Sequence, residues 1–255
     1  MFASPQPIYF HGLPGAGAEL QLFGAKVHQR TKNFNIAKRQ FRKGSSGADV
    51  FELIADEIRI TSSGRPLKFI GFSLGASVAL RVAALLGSQV EEIDIISAAA
   101  PIQTGNYLEK MAGALVFRTA QKNQIAFNVL SRCQSVISQI APKLLYSALF
   151  STAKGDDLKL RDDPNFSSLM VHILKESLGN ELASYRSEIS EYVGDWSSTL
   201  GQVSQPVSIY HGALDNWSPL EMAKSLEGAL GNCIKFEVFD NCSHYSTLKE
   251  YLQRA

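Results

Sequence analysis

The seven residues GFSLGAS, at positions 71–77, place Ser73 between two glycines at the junction of two apolar segments. The run Leu67–Ile70 before them is short and apolar, as in a buried strand. The apolar stretch after them, from about Gly75 to Leu86, has the length of a helix. Gly-x-Ser-x-Gly between a strand and a helix is typical of a sharp turn that exposes a nucleophilic serine. A turn whose glycines only permit tight packing is the alternative interpretation.

Short apolar segments alternate with helical patterns on both sides of this turn. Pro7–Phe10 precedes it as a predicted strand, and the helical period of Val50–Ile58 lies between the two. Ile93–Ile96 follows as the next predicted strand. Near the C-terminus the alternation resumes with Val207–Tyr210 and Ile234–Phe239. Strands that alternate with helices predict an α/β fold with a mostly parallel sheet flanked by helices.

This alternation is interrupted between Gln103 and about Leu200, where the patterns are mostly helical. A structureless loop of that length does not fit a compact domain. We therefore predict an α/β core formed by residues 1–101 and 204–255, and a helical lid formed by residues 102–203. The predicted lid helices are Tyr107–Phe117, Ala126–Ile140, Pro142–Phe150, Phe166–Leu178 and Leu182–Tyr192.

Composition and charge exclude several classes of function. The chain has 255 residues, is 45% hydrophobic and carries a net charge of +1, so we expect a soluble globular protein with neither a nucleic acid nor a membrane partner. The N-terminal MFASPQPIYF does not resemble a signal peptide, and no apolar run reaches the ~20 residues that span a bilayer. Three cysteines without secretory context predict reduced thiols and a cytoplasmic location. Neither CxxC nor HExxH occurs, so no metal site is predicted.

A nucleophilic serine needs a base and an acid that orients the base. His244 follows the last predicted strand, so it is expected at the carboxyl edge of the sheet, where sites form in this class. Asp215 follows the preceding strand and completes the chain order Ser, Asp, His. Asp240 is too close to His244 in the loop to be preferred. A helix cap is the alternative role for Asp215, and a capping or surface-loop role is the alternative for His244.

The other four histidines are not predicted to be catalytic. His11 and His211 each precede a glycine at the end of a predicted strand, which favours a role in ordering a loop. His28 and His172 have no chemistry-bearing neighbours in the sequence and are interpreted as incidental.

The segment HGLPG, at residues 11–15, follows the first predicted strand and is expected to supply part of an oxyanion hole. The amide of Leu13 is the predicted donor there because Pro14 has no N–H. The amide of Leu74, directly after Ser73, is the second predicted donor. Gly12 and Trp217 are predicted to contact the substrate. A phosphate-binding loop is rejected because no Gly-Lys-Ser/Thr follows, and a plain turn remains the alternative.

Taken together, the four pieces around Leu13, Ser73, Asp215 and His244 resemble the α/β-hydrolase superfamily, over roughly residues 6–101 and 204–254. The resemblance implies Ser73 as nucleophile, Asp215 as acid and His244 as base. It also implies the Leu13 and Leu74 amides as oxyanion donors, and a helical lid over the pocket.

The sequence departs from the superfamily pattern in three places. The chain begins almost at the oxyanion strand, so the usual N-terminal antiparallel strands are expected to be missing. Ser243 stands before the histidine where members often carry glycine. The oxyanion loop is not the glycine-triplet form that some lipases and esterases have.

The implied reaction is acyl transfer to water, through an acyl-enzyme formed on Ser73, with no metal or cofactor. The expected substrate is a small ester, lactone or thioester. Two alternatives remain open: a lyase that uses the same triad on a dicarboxylate-like substrate, and a slow-turnover ligand sensor that signals through its lid. The sequence predicts neither the acyl group nor the oligomeric state.

Two further features bear on the substrate. A basic loop, Lys38, Arg39, Arg42 and Lys43, could attract a carboxylate or phosphate, although a solvated loop explains it more simply. The lid also contains apolar side chains that could line an acyl pocket or pack the core: Phe117, Phe127, Leu144, Leu145, Tyr146, Leu149 and Phe150.

Overall fold

The computed structural model describes residues 4–39 and 48–254. Its single sheet has six strands in the order β2-β1-β3-β4-β5-β6, and every pairing is parallel. This arrangement confirms the predicted fold class, and the described residues contain no antiparallel strand. The strands are β1 Gln6–Phe10, β2 Asn35–Ile36, β3 Leu67–Phe72, β4 Val90–Ile96, β5 Val207–Gly212 and β6 Cys233–Phe239.

Twelve α-helices accompany the sheet in the described part of the chain. None of them is long and apolar enough to cross a bilayer. Their bounds are α1 Ala25–Arg30, α2 Ala48–Ser62, α3 Leu74–Leu86, α4 Ala114–Lys122, α5 Gln124–Ile140, α6 Pro142–Leu149, α7 Asp157–Arg161, α8 Pro164–Lys175, α9 Leu182–Val193, α10 Ser197–Leu200, α11 Leu220–Ala229 and α12 His244–Arg254.

Helices cover both faces of the sheet. Helix α3 contacts β1, β3 and β4, whereas α12 contacts β4 and β5. Successive side chains of β3 point to opposite faces. Gly71 faces Ala76 of α3, and Phe72 packs on Tyr245 of α12 with ring centroids 5.3 Å apart. Helices α3 and α12 therefore lie on opposite faces, and the chain segments that leave β1, β3, β5 and β6 all emerge at the carboxyl edge.

In the described chain, the regular secondary structure between β4 and β5 is entirely helical. It consists of a 3-10 helix, Ile102–Thr104, the α-helices α4 to α10 and one π-helix. A short π-helix, Glu176–Asn180, continues α8. These helices have an apolar interior of their own, with Phe127, Phe150 and Met170 fully buried. This interior is continuous with the core of the sheet.

Three predicted helices differ from the observed ones. The sequence predicts a helix over Tyr107–Phe117, but α4 begins only at Ala114 because the Ala112 amide donates to the Asn216 carbonyl at 2.7 Å. The sequence also predicts a helix over Glu19–Gln29, which in the structure is split into a 3-10 turn and α1, with Gly24 at φ 87° between them. It predicts the last helix near Ser246–Gln253, but α12 begins at His244, so the predicted base is on a helix and not in a loop.

Candidate active site

Ser73 lies on a sharp turn between β3 and α3. Its backbone has φ 55° and ψ −125°, a conformation that a residue with a side chain rarely adopts. A Cβ at Gly71 would approach the Ala76 Cα to 2.6 Å, and one at Gly75 would approach the Phe10 carbonyl oxygen to 2.2 Å. The turn therefore requires both glycines. Backbone strain at a serine over the end of a sheet is more typical of a functional site than of a simple packing turn.

Asp215, in the loop after β5, and His244, the first residue of α12, form a buried pair. The His244 Nδ1 lies 2.8 Å from Asp215 Oδ2, and the two residues are 1% and 6% exposed. Asp215 Oδ1 accepts the amides of Trp217 and Ser218, each at 2.9 Å. Burial opposes ionisation of Asp215, but the His244 imidazole and the Ser218 amide outweigh it and lower the pKa of that carboxyl. Asp240 is exposed, so it does not compete for the imidazole.

The imidazole of His244 is enclosed by aromatic rings. Trp217 is nearly parallel to it, with centroids 5.3 Å apart and an interplanar angle of 14°, and the Phe72 centroid is 4.8 Å away. Within the described residues, Ser73 Oγ has no hydrogen bond to this imidazole, and Ser73 lies in the wall of the adjacent cavity. Among the described residues, the structure thus joins Asp215 to His244 by a hydrogen bond and shows none from either of them to Ser73.

The two amides predicted as oxyanion donors are uncommitted. Neither Leu13 N nor Leu74 N donates to another group in the described part of the chain, and both residues line the same cavity as Ser73. Free amides beside a serine Oγ are what an oxyanion requires. Gly12, in contrast, does not line the cavity, and its amide donates to Glu19 Oε2 at 3.0 Å. Trp217, the other predicted contact, does line it.

Glu19 has a buried carboxyl beside the predicted oxyanion loop, and no motif in the sequence indicates it. Its Oε2 accepts from the Tyr9 hydroxyl at 2.9 Å as well as from the Gly12 amide, while its Oε1 has no partner among the described groups. Burial raises its pKa from 4.5 to about 7, against the lowering effect of the Gly12 amide. A Cβ at Gly15 would come within 2.2 Å of Oε1, which shows how closely the loop packs on this carboxyl.

A second carboxyl that the sequence does not indicate, Asp157 of α7, reaches the beginning of α12. It accepts the Tyr245 amide at 3.1 Å, the Ser246 amide at 2.7 Å and the Ser246 hydroxyl at 2.5 Å. These amides are the first of the helix and have no partner inside it. Burial raises the pKa of Asp157, although the Ser246 hydrogen bonds act in the opposite direction. Because the two partners are 88 residues apart, no local pattern in the sequence indicates the contact.

Both histidines that were predicted to order loops contact backbone carbonyls. His211 Nε2 donates to the Ser218 carbonyl at 2.8 Å, and burial lowers the pKa of this imidazole. It is therefore neutral, and its 3.7 Å approach to Asp215 Oδ2 is not an ion pair. His11 Nδ1 lies 2.8 Å from the Gly12 carbonyl. His11 also contacts the Arg39 guanidinium, and burial followed by this positive charge lowers its pKa well below 6.5.

In the part of the basic loop that the structure describes, Lys38 is exposed and Arg39 is buried. The Arg39 guanidinium is buried and lies 2.6 Å from Glu188 of α9, while it also reaches the Gly12 carbonyl at 3.3 Å. Lys38 pairs with Glu57 at the surface, at 3.1 Å. Arg42 and Lys43 lie outside the described residues. Arg39 thus connects the predicted oxyanion loop to α9 and does not line the cavity.

A cavity of about 360 Å³ lies between Ser73 and the helices of the predicted lid. Its lining contains no charged side chain among the described residues, and its polar side chains are serines, Thr152, Gln134 and Tyr185. Of the lid side chains weighed for an acyl pocket, Phe117, Leu145 and Leu149 line it. Three others, Phe127, Tyr146 and Phe150, are buried outside the lining, and Leu144 is 65% exposed. No group of three or more metal-ligating side chains occurs in the described ranges.

Known proteins with this architecture were found by comparison. A bromoperoxidase from Bacillus anthracis is 15% identical with a TM-score of 0.66, covering 99% of this chain and 91% of that one. An esterase from Thermogutta terrifontis, solved with malate bound, is 13% identical with a TM-score of 0.66, covering 99% and 90%. The enol-lactonase from Burkholderia xenovorans is 14% identical with a TM-score of 0.57, covering 99% and 90%.

These identities are low, so the likeness to solved structures demonstrates a shared fold alone. A search of curated protein sequences found no match. A family model described as the alpha/beta hydrolase fold matches residues 42–251, which is most of the chain. The fold, the strained serine turn and this match agree, and the chain belongs to the α/β-hydrolase fold family.

Proposed function

We propose that this protein is a serine hydrolase that cleaves a neutral ester, lactone or thioester through an acyl-enzyme intermediate. The observation that carries the proposal is the position of Ser73, strained on its turn, beside two uncommitted amides and at the wall of an apolar cavity. The buried Asp215–His244 pair supplies a base whose tautomer is set by the carboxylate.

In the proposed mechanism, His244 Nε2 takes the proton from Ser73 Oγ as the oxygen attacks the carbonyl carbon. The Leu13 and Leu74 amides stabilise the resulting oxyanion, and the imidazolium then protonates the leaving group. Water attacks the acyl-enzyme with His244 again as base, and Ser73 is released with the acid product. Because Ser73 and His244 are not hydrogen-bonded within the described chain, substrate binding must bring them together, as it does in many hydrolases whose free forms have loose geometry.

The cavity favours an uncharged acyl group. Its volume, about 360 Å³, is near the lower end of the ~300–1,000 Å³ range for small-molecule sites. A second carboxylate of a dicarboxylate-like substrate would lie against apolar side chains with no cation to pair with among the described lining residues, which is costly. The cavity therefore argues for hydrolysis of a neutral substrate and against the lyase alternative.

Covalent labelling tests the proposal. We expect a fluorophosphonate probe to add one adduct, seen by intact mass, to the wild type and none to Ser73→Ala. Ser151→Ala is the matched control, since Ser151 also lines the cavity and its loss must leave labelling intact. Turnover is then compared between p-nitrophenyl pentanoate and the p-nitrophenyl monoester of succinate. We expect at least a tenfold higher kcat/KM for the neutral ester.

Two results would contradict the proposal. An adduct that persists in Ser73→Ala would exclude this serine as the nucleophile. A higher kcat/KM for the charged succinate monoester would contradict the proposal that the substrate has a neutral acyl group. A labelled serine with no measurable turnover of any ester would instead favour the ligand-sensor alternative.

A further inference from the structure

Helix α5 of the lid buries a face that contains serines and exposes an aliphatic face, the opposite of most helices in soluble proteins. Its buried face carries three serines, Ser131, Ser135 and Ser138, beside Phe127. Its exposed face carries four aliphatic residues with exposed fractions of 45–77%, which we call the α5 stripe: Ile125, Val129, Val136 and Ile140. At 3.6 residues per turn these four lie within an arc of about 60°. Ordinary surface helices bury such a stripe and expose their serines.

The two helices that contact α5 also carry exposed apolar side chains. Helices α4 and α6 both contact α5, and each adds an exposed leucine: Leu115 at 67% and Leu144 at 65%. Leu115 also lines the cavity next to Ser73. Leu115 is thus an exposed apolar side chain that lies both on a helix packed against α5 and at the cavity that contains Ser73. Exposed apolar surface of this extent marks an interaction site.

The charged residues of the segment that carries the α5 stripe are all of one sign. Residues 110–155 contain no Asp or Glu, whereas six basic residues occur there: Lys110, Arg118, Lys122, Arg132, Lys143 and Lys154. All six are exposed, and within the described chain only Lys110 has a salt bridge, to Glu221 at 2.5 Å. The whole-chain charge of +1, which predicts no membrane partner, conceals this local excess.

We infer that the α5 stripe and its basic border dock the protein on an anionic lipid surface. Aliphatic side chains enter the boundary between headgroups and acyl chains, and flanking Lys and Arg are attracted to anionic headgroups. A second copy of the chain fits this face less well, because a two-fold contact would bring the same basic border against itself. Docking here would present the mouth of the cavity, at Leu115, to the surface from which an apolar ester would be drawn.

Vesicle co-sedimentation tests this inference, with phosphatidylglycerol vesicles compared against phosphatidylcholine vesicles. We expect the wild type to bind the anionic vesicles at least tenfold better, and to be released from them by added salt. Ile125→Ser combined with Ile140→Ser should lower binding about tenfold. Ile60→Ser is the matched control, since Ile60, Ile125 and Ile140 are each 77% exposed and Ile60 is on α2, outside the lid.

A charge variant, Arg132→Gln with Lys143→Gln, should weaken binding to the anionic vesicles and leave the melting temperature unchanged. Equal binding by the stripe variant and the Ile60→Ser control would overturn the inference, as would binding indifferent to lipid charge. A dimer seen by light scattering and abolished by the stripe variant would overturn it too, and would assign the face to a second copy. All these readouts can be made in Ser73→Ala, so they do not depend on the proposed hydrolase activity.

Discussion

At the scale of single residues, Glu19 is both a buried hydrogen-bond acceptor and a carboxyl with a raised pKa. It is fully buried, it holds Tyr9 and the Gly12 amide, and burial raises its pKa from 4.5 to about 7. The folded protein therefore binds a proton at Glu19 at pH values where the unfolded chain has already lost it. The contribution of Glu19 to the free energy of unfolding therefore falls as the pH rises through the window from about 4.5 to 7, because burial disfavours its ionisation only in the folded state.

We predict that Glu19→Gln removes this dependence, since the amide resembles the protonated carboxyl. Between pH 5 and pH 8, the wild type should lose up to about 3 kcal/mol of unfolding free energy relative to the variant. Denaturant titrations at the two pH values measure the difference. Glu52→Gln, an exposed change on α2, should track the wild type. A wild type and Glu19→Gln that change in parallel would show that Glu19 does not titrate in this window.

At the scale of elements, helix α12 depends on another segment for its cap. Its first residue is His244, and the amides of Tyr245 and Ser246 are satisfied by Asp157 of α7. The residues before Asp157 contact neighbouring segments: the Asp156 amide donates to the Asn241 carbonyl at 2.8 Å, and Asn216 Nδ2 donates to the Thr152 carbonyl at 2.8 Å. Residues 152–157 thus connect the loop that carries Asp215 with the turn before α12, whose first residue is His244.

We predict that Asp157→Ala lowers the free energy of unfolding by about 1–2 kcal/mol, the range for loss of a helix cap. It should also slow fluorophosphonate labelling of Ser73, because His244 is the adjacent helical residue and its placement would loosen. Stability by denaturation and the labelling rate constant are the two measurements. Asp156→Asn is the control, since its carboxylate makes only a surface contact with Lys159 at 2.7 Å. If Asp157→Ala were less stable but were labelled at the wild-type rate, Asp157 would contribute to stability and not to the placement of His244.

At the scale of the whole molecule, three contacts join the predicted lid to the core. Arg39 bonds Glu188 of α9 at 2.6 Å, the Gly15 amide donates to Ser177 Oγ at 3.3 Å, and the Tyr192 hydroxyl donates to the Ala100 carbonyl at 2.8 Å. Of these three contacts, the one between Arg39 and Glu188 is an ion pair, and its side chains are 2% and 5% exposed. Two buried charges stabilise a fold only as long as both are present.

We predict that Glu188→Leu alone costs about 3–5 kcal/mol of unfolding free energy, because it leaves the Arg39 guanidinium buried without its partner. Arg39→Met added to Glu188→Leu should recover most of that loss. Lys38→Gln, which breaks the exposed pair with Glu57, should cost no more than about 1 kcal/mol. Denaturant titration of the wild type and the three variants checks the order. A double variant as unstable as the single one would mean that packing, and not the unpaired charge, sets the cost.

Local chemistry by itself determines most of the core. The strand, turn and helix around Ser73 follow from apolar periodicity and from two glycines whose positions in the turn leave no room for a Cβ. The strands at Pro7–Phe10, Ile93–Ile96, Val207–Tyr210 and Ile234–Phe239 are predicted for the same reason, with ends that differ by a few residues. Asp215 and His244 are expected at one sheet edge because parallel strands all end there.

Only the tertiary structure decides what depends on contacts between distant segments. Three contacts join residues whose partners no local pattern specifies: the Asp157 cap of α12, the bond from the Gly12 amide to Glu19 and the buried pair of Arg39 with Glu188. The start of α4 at Ala114 follows from a bond to Asn216, about a hundred residues away in the chain. The serine-lined inner face of α5 is likewise set by the helices around it. Periodicity reports which residues share a face, but the fold decides which face is turned to water.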